Sequence, residues 1–383
     1  MFLVILDIYY SVPGNSCEKY LTYLPHDGFN NQRIALENSI FLAWFLNRTL
    51  IIPPLVFFEG VKPHISRSFN ERSKFLSQFI HPNKNQFKHC KSISRCNNTL
   101  CFQEGQKNCI IVTYTTYNWE ELIDFAFLKE HIKYIHRQDF DFNYLLKSLH
   151  INNSSDVYNV TKDKNQFQQR YYDDPTSTIE LRKFKERVNL IDLGKRPKKL
   201  IHFGSLFSSN RIVRQLSESI EFWNKLMRNM IPNNPIINNI VDKIIDKIGG
   251  MNSFIGVHAR LKDGFFAKRQ NNTVQGLIKK IQTDFKDGVC LTTKIYLAVD
   301  VKRDHKSLRP LFQTFSCIYV LDDFNDLLEP LKLLKNPQNG MIMYKFLIPL
   351  VDLVVVSKGN KFYGSKSSTF SGYARRLNEI WIR

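Results

Sequence analysis

The second half of the chain alternates short apolar strands with amphipathic helices, and this alternation limits the fold more than any other feature. Strands are predicted at 199–203, 254–258, 294–299 and 361–363, with helices between them. One of these helices is predicted over 235–248, and a strongly apolar passage from helix to strand is predicted over 341–356. Strands that alternate with helices form a parallel sheet that helices cover on both faces. The sequence therefore predicts an α/β fold for this half.

The N-terminal part of the chain shows a less regular form of the same alternation of strands and helices. Residues 25–32 favour a turn because they include Pro, Gly and two Asn. Apolar residues at the spacing of a helix buried on one face follow over 34–46, and 50–52 is a short apolar strand that ends at two prolines. The first backbone N–H groups of such a helix can bind an anion, and the helix dipole strengthens this binding.

The length of 383 residues exceeds what one ordinary core supports. We therefore predict two Rossmann-like domains that face a cleft, residues 1–197 with the Cys-rich loop and residues 198–383. The closing helix, 371–381, is a candidate to pack back on the first domain. In such sheets, ligands bind at the carboxyl ends of the strands.

Polar side chains cluster where predicted strands end. They are Asp27, Gly28, Asn30 and Asn31 in the first loop, His258 and Arg260 after 254–258, Asp300 after 294–299, and Ser367, Ser368, Thr369 and Phe370 after 361–363. An arginine guanidinium offers forked donors that suit phosphate oxygens, and a hydroxyl-rich helix start forms an anion cradle. Asp300 can accept from a ribose hydroxyl or a base N–H. These residues predict a pyrophosphate site.

Each of these residues also has a purely structural interpretation. His258 suits a hydrogen-bonded strand end, and Arg260 can pair with Asp263. Asp300 can cap the following helix, and the hydroxyls of 367–369 can form an N-cap cluster. Asp27 fits a solvated turn equally well.

The net charge of +19, with a pI near 9.5, predicts an anionic partner. The candidates are nucleic acid, an anionic membrane surface and a phosphorylated small molecule. The basic residues are scattered rather than concentrated beside exposed aromatics, which argues against nucleic acid and indicates that most of them form a solvated surface. The one DxD-like string, at 139–141, lies in a polar connection away from the strand ends. We therefore interpret it as a surface feature and expect a site that needs no metal.

Seven cysteines are present, and four of them fall between Cys90 and Cys109. Their spacing does not suit zinc, so disulfides formed in an oxidising compartment explain them better, with one thiol left over. Sequons for N-glycosylation occur at Asn47, Asn97, Asn152, Asn153, Asn159 and Asn271.

No stretch has the length of a transmembrane helix. Residues 1–11 are apolar but short and interrupted by Asp7, so they are either a buried first strand or the remainder of a secretory signal or membrane anchor. With the cysteines, these features lead us to expect the lumen of the secretory pathway, in the endoplasmic reticulum or Golgi.

Three motifs resemble the O-fucosyltransferase family, whose members are two-domain GT-B glycosyltransferases that use GDP-fucose. They are PHDGFNNQRIALENSIFLAWFLNRTLIIPP at 25–54, GVHARLKD at 256–263, and FYGSKSSTFSGYARRLNE at 362–379. YLAVD, at 296–300, is similar to the family's strand that ends in Asp. Within the family, the chain resembles the fungal-type members.

The resemblance implies that residues 1–197 form the acceptor side and residues 198–383 bind the nucleotide sugar. It also implies a role for each motif residue. Arg260 would contact the diphosphate and assist the departure of GDP, His258 would contact the nucleotide, and Asp300 would hold guanine or ribose. Asn30 and Asn31 would place backbone donors on the diphosphate, residues 367–369 would bind phosphate, and Phe370 would pack near the base. Asp27 occupies the position where some members have an acidic general base.

The expected activity is an inverting, metal-independent transfer of fucose from GDP-fucose to a Ser or Thr hydroxyl of a protein, or to a glycan. Two other interpretations remain open at this point. One is a sugar-nucleotide-binding relative without catalysis, and the other is a polyanion-binding protein that uses the positive charge.

Overall fold

A computed structural model describes residues 18–59, 76, 86–92, 107–160, 169–180, 186–262, 264–285 and 288–382. Its strands are β1 (Tyr20–Tyr23), β2 (Thr49–Ile52), β3 (Leu55–Glu59), β4 (Gln86–Ser92), β5 (Lys107–Tyr117), β6 (Tyr134–His136), β7 (Val157–Asn159), β8 (Gln169–Tyr172), β9 (Glu186–Asn189), β10 (Leu200–Phe203), β11 (Ile212–Val213), β12 (Phe254–Ala259), β13 (Lys294–Val299), β14 (Ile318–Tyr319) and β15 (Lys361–Gly364).

The helices follow the same order. They are α1 (Phe29–Phe45), α2 (Ala126–His131), α3 (Phe142–Ser148), α4 (Leu190–Gly194), α5 (Ser217–Asn229), α6 (Pro235–Ile248), α7 (Gly264–Ala267), α8 (Gln270–Asp284), α9 (Val289–Thr292), α10 (Arg309–Thr314), α11 (Glu329–Leu333), α12 (Tyr344–Ser357) and α13 (Thr369–Trp381). Within the described residues, no helix combines the length and apolar character needed to cross a membrane.

Two parallel sheets organise the molecule. The N-terminal sheet has the strand order β6-β2-β1-β10-β7, and the C-terminal sheet has the order β14-β13-β12-β15. The predicted α/β fold with parallel sheets is confirmed. Two smaller sheets accompany them, an antiparallel one with the order β3-β5-β4 and a parallel one with the order β11-β8-β9.

Strand β10 follows the predicted domain boundary at residues 197 and 198, yet it belongs to the N-terminal sheet. This strand lies between β1 and β7 in the N-terminal sheet, with Leu200 opposite Tyr20. Its four residues are buried and complete the backbone hydrogen bonds of β1, so the strand belongs with the first sheet. The division of the chain into two domains otherwise stays a prediction.

Helix α1 is buried around its circumference rather than on one face. All residues from Gln32 to Ala43 are buried. Trp44 stacks on Phe222 of α5 with ring centroids 4.2 Å apart, and Arg33 lies over the Tyr373 ring of α13 at 3.9 Å. A one-faced pattern was expected because polar residues interrupt the apolar ones, but those polar residues are themselves buried in specific contacts.

The two sheets share one apolar core. Buried residues of α1, α6, α12 and α13 belong to a single cluster that reaches both sheets. Gly256 of β12 has no room for a side chain, because a Cβ atom there would lie 1.9 Å from the carbonyl oxygen of Val356 in α12. Helix α13 contacts the first half of the chain, because Arg376 donates to the Glu37 carboxylate of α1 at 2.7 Å.

Within the described part of the chain, a disulfide joins Cys290 and Cys317, whose Cα atoms are 5.4 Å apart. The disulfides expected from the sequence lay in the early cluster. The backbone register of β4 and β5 places Cys90 opposite Cys109. Cys17, Cys96 and Cys101, like the N-terminal segment 1–17, lie outside the described residues.

Candidate active site

The loop between β1 and α1 is held in an uncommon backbone conformation. Asp27 has φ 53°, a left-handed value that Asp tolerates better than most residues. The Gln32 side-chain amide donates to the Asp27 carbonyl at 2.7 Å and to the Val56 carbonyl at 2.7 Å, and its oxygen accepts from the Val56 N–H at 3.0 Å. Gln32 is 1% exposed, so this brace fixes the loop against β3.

The Asp27 carboxylate is the outward-facing group of this loop. Its side chain is 40% exposed. Oδ2 lies 3.1 Å from Nε2 of His26 and accepts a longer bond from the Asn31 amide at 3.4 Å. Gly28 caps α1 with extended backbone and no side-chain oxygen, and its carbonyl accepts from the N–H groups of Asn31 and Gln32 at 3.0 and 3.1 Å.

His258 is the penultimate residue of β12 and lies beside the start of α13. Its ring stacks on Phe370 with centroids 4.2 Å apart, and Nδ1 lies 2.6 Å from the Ser371 hydroxyl. Burial, together with the positive charge of Arg260, lowers the pKa of His258 from its ordinary 6.5 to about 3. The ring is therefore neutral at physiological pH and can offer hydrogen bonds without adding charge.

Arg260 lies one residue beyond β12, opposite the loop that follows β15. Its backbone N–H donates to the Ser365 hydroxyl at 2.9 Å, and that hydroxyl donates to the His258 carbonyl at 3.3 Å. The guanidinium carbon lies 5.0 Å from the centroid of the Phe266 ring. Asp263, the alternative partner considered from the sequence, lies outside the described residues.

Asp300, at the end of β13, accepts from the chain that follows Arg260. Its carboxylate bonds the backbone N–H of Leu261 at 2.7 Å and that of Lys262 at 3.2 Å. These bonds fix the backbone beside Arg260, which is a role the sequence did not predict. Asp300 also lines a cleft of about 580 Å³ with Lys262, Gln270, Lys302, His305 and Asp322.

The hydroxyls at the start of α13 have different partners. Ser368 is buried and caps the helix by accepting from the Ser371 N–H at 3.4 Å. The Thr369 hydroxyl donates to the Asn31 side-chain oxygen at 3.0 Å, which joins the starts of α13 and α1. Ser367 is exposed, with φ 65°.

The structure thus brings the predicted residues of both halves to one place. Asn31 and Thr369 touch, Thr369 precedes Phe370, and Phe370 stacks on His258, two residues before Arg260. The Asn30 side-chain oxygen is buried without a hydrogen-bond partner among the described residues. The roles assigned to the site residues stay predictions.

Sequence reasoning missed the residues that hold this arrangement in place, namely His26, Gln32, Ser205, Ser365 and Ser371. All of them except His26 are buried, and all five form hydrogen bonds to backbone or to other side chains. Ser365 and Ser371 flank the hydroxyl cluster in GSKSSTFS, which was the available signal. His26 and Gln32 stand in the first motif but have no signature of their own.

The DxD-like string has a structural explanation. The Asp141 carboxylate caps α3 by accepting from the N–H groups of Asn143 and Tyr144 at 2.9 and 3.1 Å. The Asp139 carboxylate accepts from the N–H of Asp141 at 2.8 Å. Both carboxylates therefore organise a helix start.

A family model described as GDP-fucose protein O-fucosyltransferase matches residues 20–380. O-fucosyltransferase 30 of Arabidopsis thaliana is 51% identical over 39 residues, which are 10% of this chain and 8% of that protein. The chain thus matches only a small part of that relative.

Two kinds of solved structure are similar along nearly the whole chain. POFUT1 in complex with GDP-fucose has 11% identity and a TM-score of 0.45, with 95% of each chain covered. The fucosyltransferase NodZ from Bradyrhizobium has 13% identity and a TM-score of 0.43, with 94% of this chain and 93% of that chain covered.

Proposed function

The chain belongs to the family of GDP-fucose protein O-fucosyltransferases, which are glycosyltransferases, and from this premise we propose that it transfers fucose from GDP-fucose to a hydroxyl group with inversion at C1. The observation that carries the proposal is the bond between Thr369 and Asn31 at 3.0 Å. It brings the starts of α1 and α13 together beside His258 and Arg260. Two helix N-termini and one guanidinium then face one anionic ligand, which suits a diphosphate.

The donor is bound by its nucleotide and its diphosphate. Arg260 and the first N–H groups of α13 receive the diphosphate oxygens, with Ser367 at the edge, and Asn30 and Asn31 add donors from the start of α1. His258 and Phe370 form a stacked pair that borders the nucleotide. The cleft beside Asp300 supplies room for guanosine.

The acceptor oxygen attacks C1 of fucose, and the bond between C1 and the diphosphate oxygen breaks. Its electron pair leaves with GDP, and the transition state resembles an oxocarbenium ion. The positive field at the diphosphate stabilises the leaving group as its charge develops. Asp27 takes the proton of the acceptor hydroxyl, a contribution of about 10²–10⁴-fold.

We further propose that the reaction needs no metal, because Arg260 and the helix N-termini supply the positive charge at the leaving group. Transfer should persist in EDTA, and a loss of activity that Mn²⁺ or Mg²⁺ restores would contradict this. The acceptor is a Ser or Thr hydroxyl of a protein, or a glycan hydroxyl. The disulfide between Cys290 and Cys317 supports the lumen of the secretory pathway as the location.

The test is transfer of labelled fucose from GDP-fucose to candidate acceptors, read by mass spectrometry. Wild type should transfer, and Arg260→Ala should lose transfer with its melting temperature unchanged. Transfer by Arg260→Ala at the wild-type rate would overturn the proposed site. GDP-dependent thermal stabilisation without transfer would instead indicate a binding protein, and salt-sensitive DNA binding without a GDP effect would indicate a polyanion binder.

A further inference from the structure

His26 stands directly behind the candidate base. Its side chain is 12% exposed, against 40% for Asp27, and its Nε2 lies 3.1 Å from Asp27 Oδ2. The ring stacks on Phe207 at 4.7 Å with the two planes 6° apart. Because Asp27 is the more exposed of the two, the carboxylate can meet a substrate while the imidazole supports it from the protein side.

The second ring nitrogen indicates which tautomer is present. Nδ1 lies 3.1 Å from the hydroxyl oxygen of Ser205, and this oxygen already accepts from the Phe207 N–H at 3.2 Å. The Ser205 proton is therefore suited to donate to Nδ1, which leaves the ring proton on Nε2, facing Asp27. Ser205 is 2% exposed and follows β10, so the support is anchored at the end of a central strand.

The carboxylate is also tied to the donor side. Asn31 donates to Asp27 Oδ2 at 3.4 Å and accepts from the Thr369 hydroxyl at 3.0 Å. A continuous chain of contacts thus runs from Ser205 through His26, Asp27 and Asn31 to Thr369. This chain of contacts begins just after β10 and finishes at the start of α13.

We propose that His26, held by Ser205, is a positioning residue that acts through Asp27. This inference rests on the proposed function, in which Asp27 takes the acceptor proton. Nε2–H donates to the carboxylate, fixes its orientation toward the acceptor hydroxyl and stabilises its charged form. In the transfer step the acceptor proton moves to Asp27, the bond from the acceptor oxygen to C1 forms, and the electron pair of the broken C1–O bond leaves with GDP. His26 keeps its proton throughout.

Two substitutions separate this role from packing. His26→Phe keeps the stack on Phe207 but removes the donor, whereas His26→Gln supplies an N–H donor without an aromatic ring. A positioning role predicts that His26→Phe lowers kcat by about 10–100-fold with the KM for GDP-fucose within about twofold, because a misplaced catalytic group costs about this much. His26→Gln should recover most of the lost kcat. A role in packing alone predicts the opposite result: kcat stays near the wild-type value in His26→Phe and falls in His26→Gln.

A double substitution tests whether His26 acts through Asp27. If His26 acts through Asp27, the Asp27→Asn/His26→Phe enzyme is no slower than Asp27→Asn alone, because residues that act as a unit are not additive. Ser205→Ala should lower kcat in the same direction as His26→Phe, by a smaller factor. His131, an exposed histidine stacked on Phe127 at 4.0 Å, provides the control: His131→Phe should leave kcat unchanged.

The outcomes distinguish this inference from the function on which it rests. Wild-type kcat in His26→Phe together with a strong loss in Asp27→Asn overturns the role of His26 alone. Full kcat in Asp27→Asn refutes the general base, and the role of His26 with it. Losses that multiply in the double variant would also overturn the inference. An equal GDP-dependent rise in melting temperature in all variants verifies that fold and donor site are intact.

Discussion

At the scale of single residues, two buried histidines couple the stability of the fold to pH. Burial lowers the pKa of both His202 and His258 to about 3, from an ordinary 6.5. The unfolded chain binds protons at these rings below about pH 6.5, whereas the folded chain binds them only near pH 3. The free energy of unfolding therefore falls as pH drops through this window.

Replacement of one ring should reduce that dependence. His202 is 1% exposed and stacks on Phe142 at 4.7 Å, so phenylalanine can replace it with its packing retained. Between pH 6 and pH 4, His202→Phe should lose about 1.4 kcal/mol less stability per pH unit than wild type. Urea unfolding at several pH values measures this, with His131→Phe as the exposed control. Parallel pH curves for wild type and His202→Phe would contradict the assignment.

At the scale of elements, a buried ion network joins α1 to α13. Glu37 is 3% exposed, and it accepts from Arg33, one turn earlier, and from Arg376 at 2.7 Å. Burial opposes the charged form of Glu37, but Arg33 and Arg376 outweigh it and hold the pKa of Glu37 below 4.5. Because the Asn31–Thr369 bond lies at the starts of the same two helices, this network supports the candidate site from behind.

Removal of one member of this ion network should therefore lower the free energy of unfolding. Arg376→Met leaves Glu37 with one cation, and we expect a loss of about 3 kcal/mol, typical of a buried pair that loses a member. Glu37→Gln should cost more, because the buried Arg33 and the partly buried Arg376 both lose their counter-charge, and adding Arg376→Met should recover part of that loss by removing one of these two cations. Urea unfolding of the two single variants and the double variant measures the coupling. Additive losses would show that the two side chains do not interact.

A second element-scale prediction concerns Gly256. A Cβ atom at this position meets the Val356 carbonyl at 1.9 Å, so Gly256→Ala must push α12 away from β12. We expect a loss of about 3 kcal/mol or more, the upper end for overpacking. Gly276, inside α8 with open space around it, is the matched control: alanine there should stabilise by about 0.5–1 kcal/mol. Equal thermal stability of Gly256→Ala and wild type would refute the close approach.

At the scale of the whole molecule, the sequence predicted the features that depend on local patterns. The strand at 294–299 and the helix at 235–248 were predicted with their observed bounds, because apolar periodicity and turn residues mark them. The predicted passage from helix to strand over 341–356 is instead one helix, α12, since an almost wholly apolar run has no periodicity to read.

The rest depends on long-range contacts that no local pattern encodes. β10 pairs with β1 across about 180 residues, and Asn31 meets Thr369 across 338. Asp300 was expected to face the nucleotide, yet its carboxylate also holds the backbone of Leu261 and Lys262. The motif residues themselves were identifiable from the sequence, whereas the side chains that brace them became visible only with the fold.

The proposed function depends most directly on the binding of a diphosphate by Arg260 and the first N–H groups of α13. Calorimetric titration of GDP and GMP into wild type and Arg260→Ala tests it most directly. We predict that wild type binds GDP more tightly than GMP, and that Arg260→Ala weakens GDP binding by about 10–100-fold, the value of a charged hydrogen bond, with little change for GMP. Equal affinities for GDP and GMP in wild type, or unchanged GDP binding in Arg260→Ala, would contradict the account.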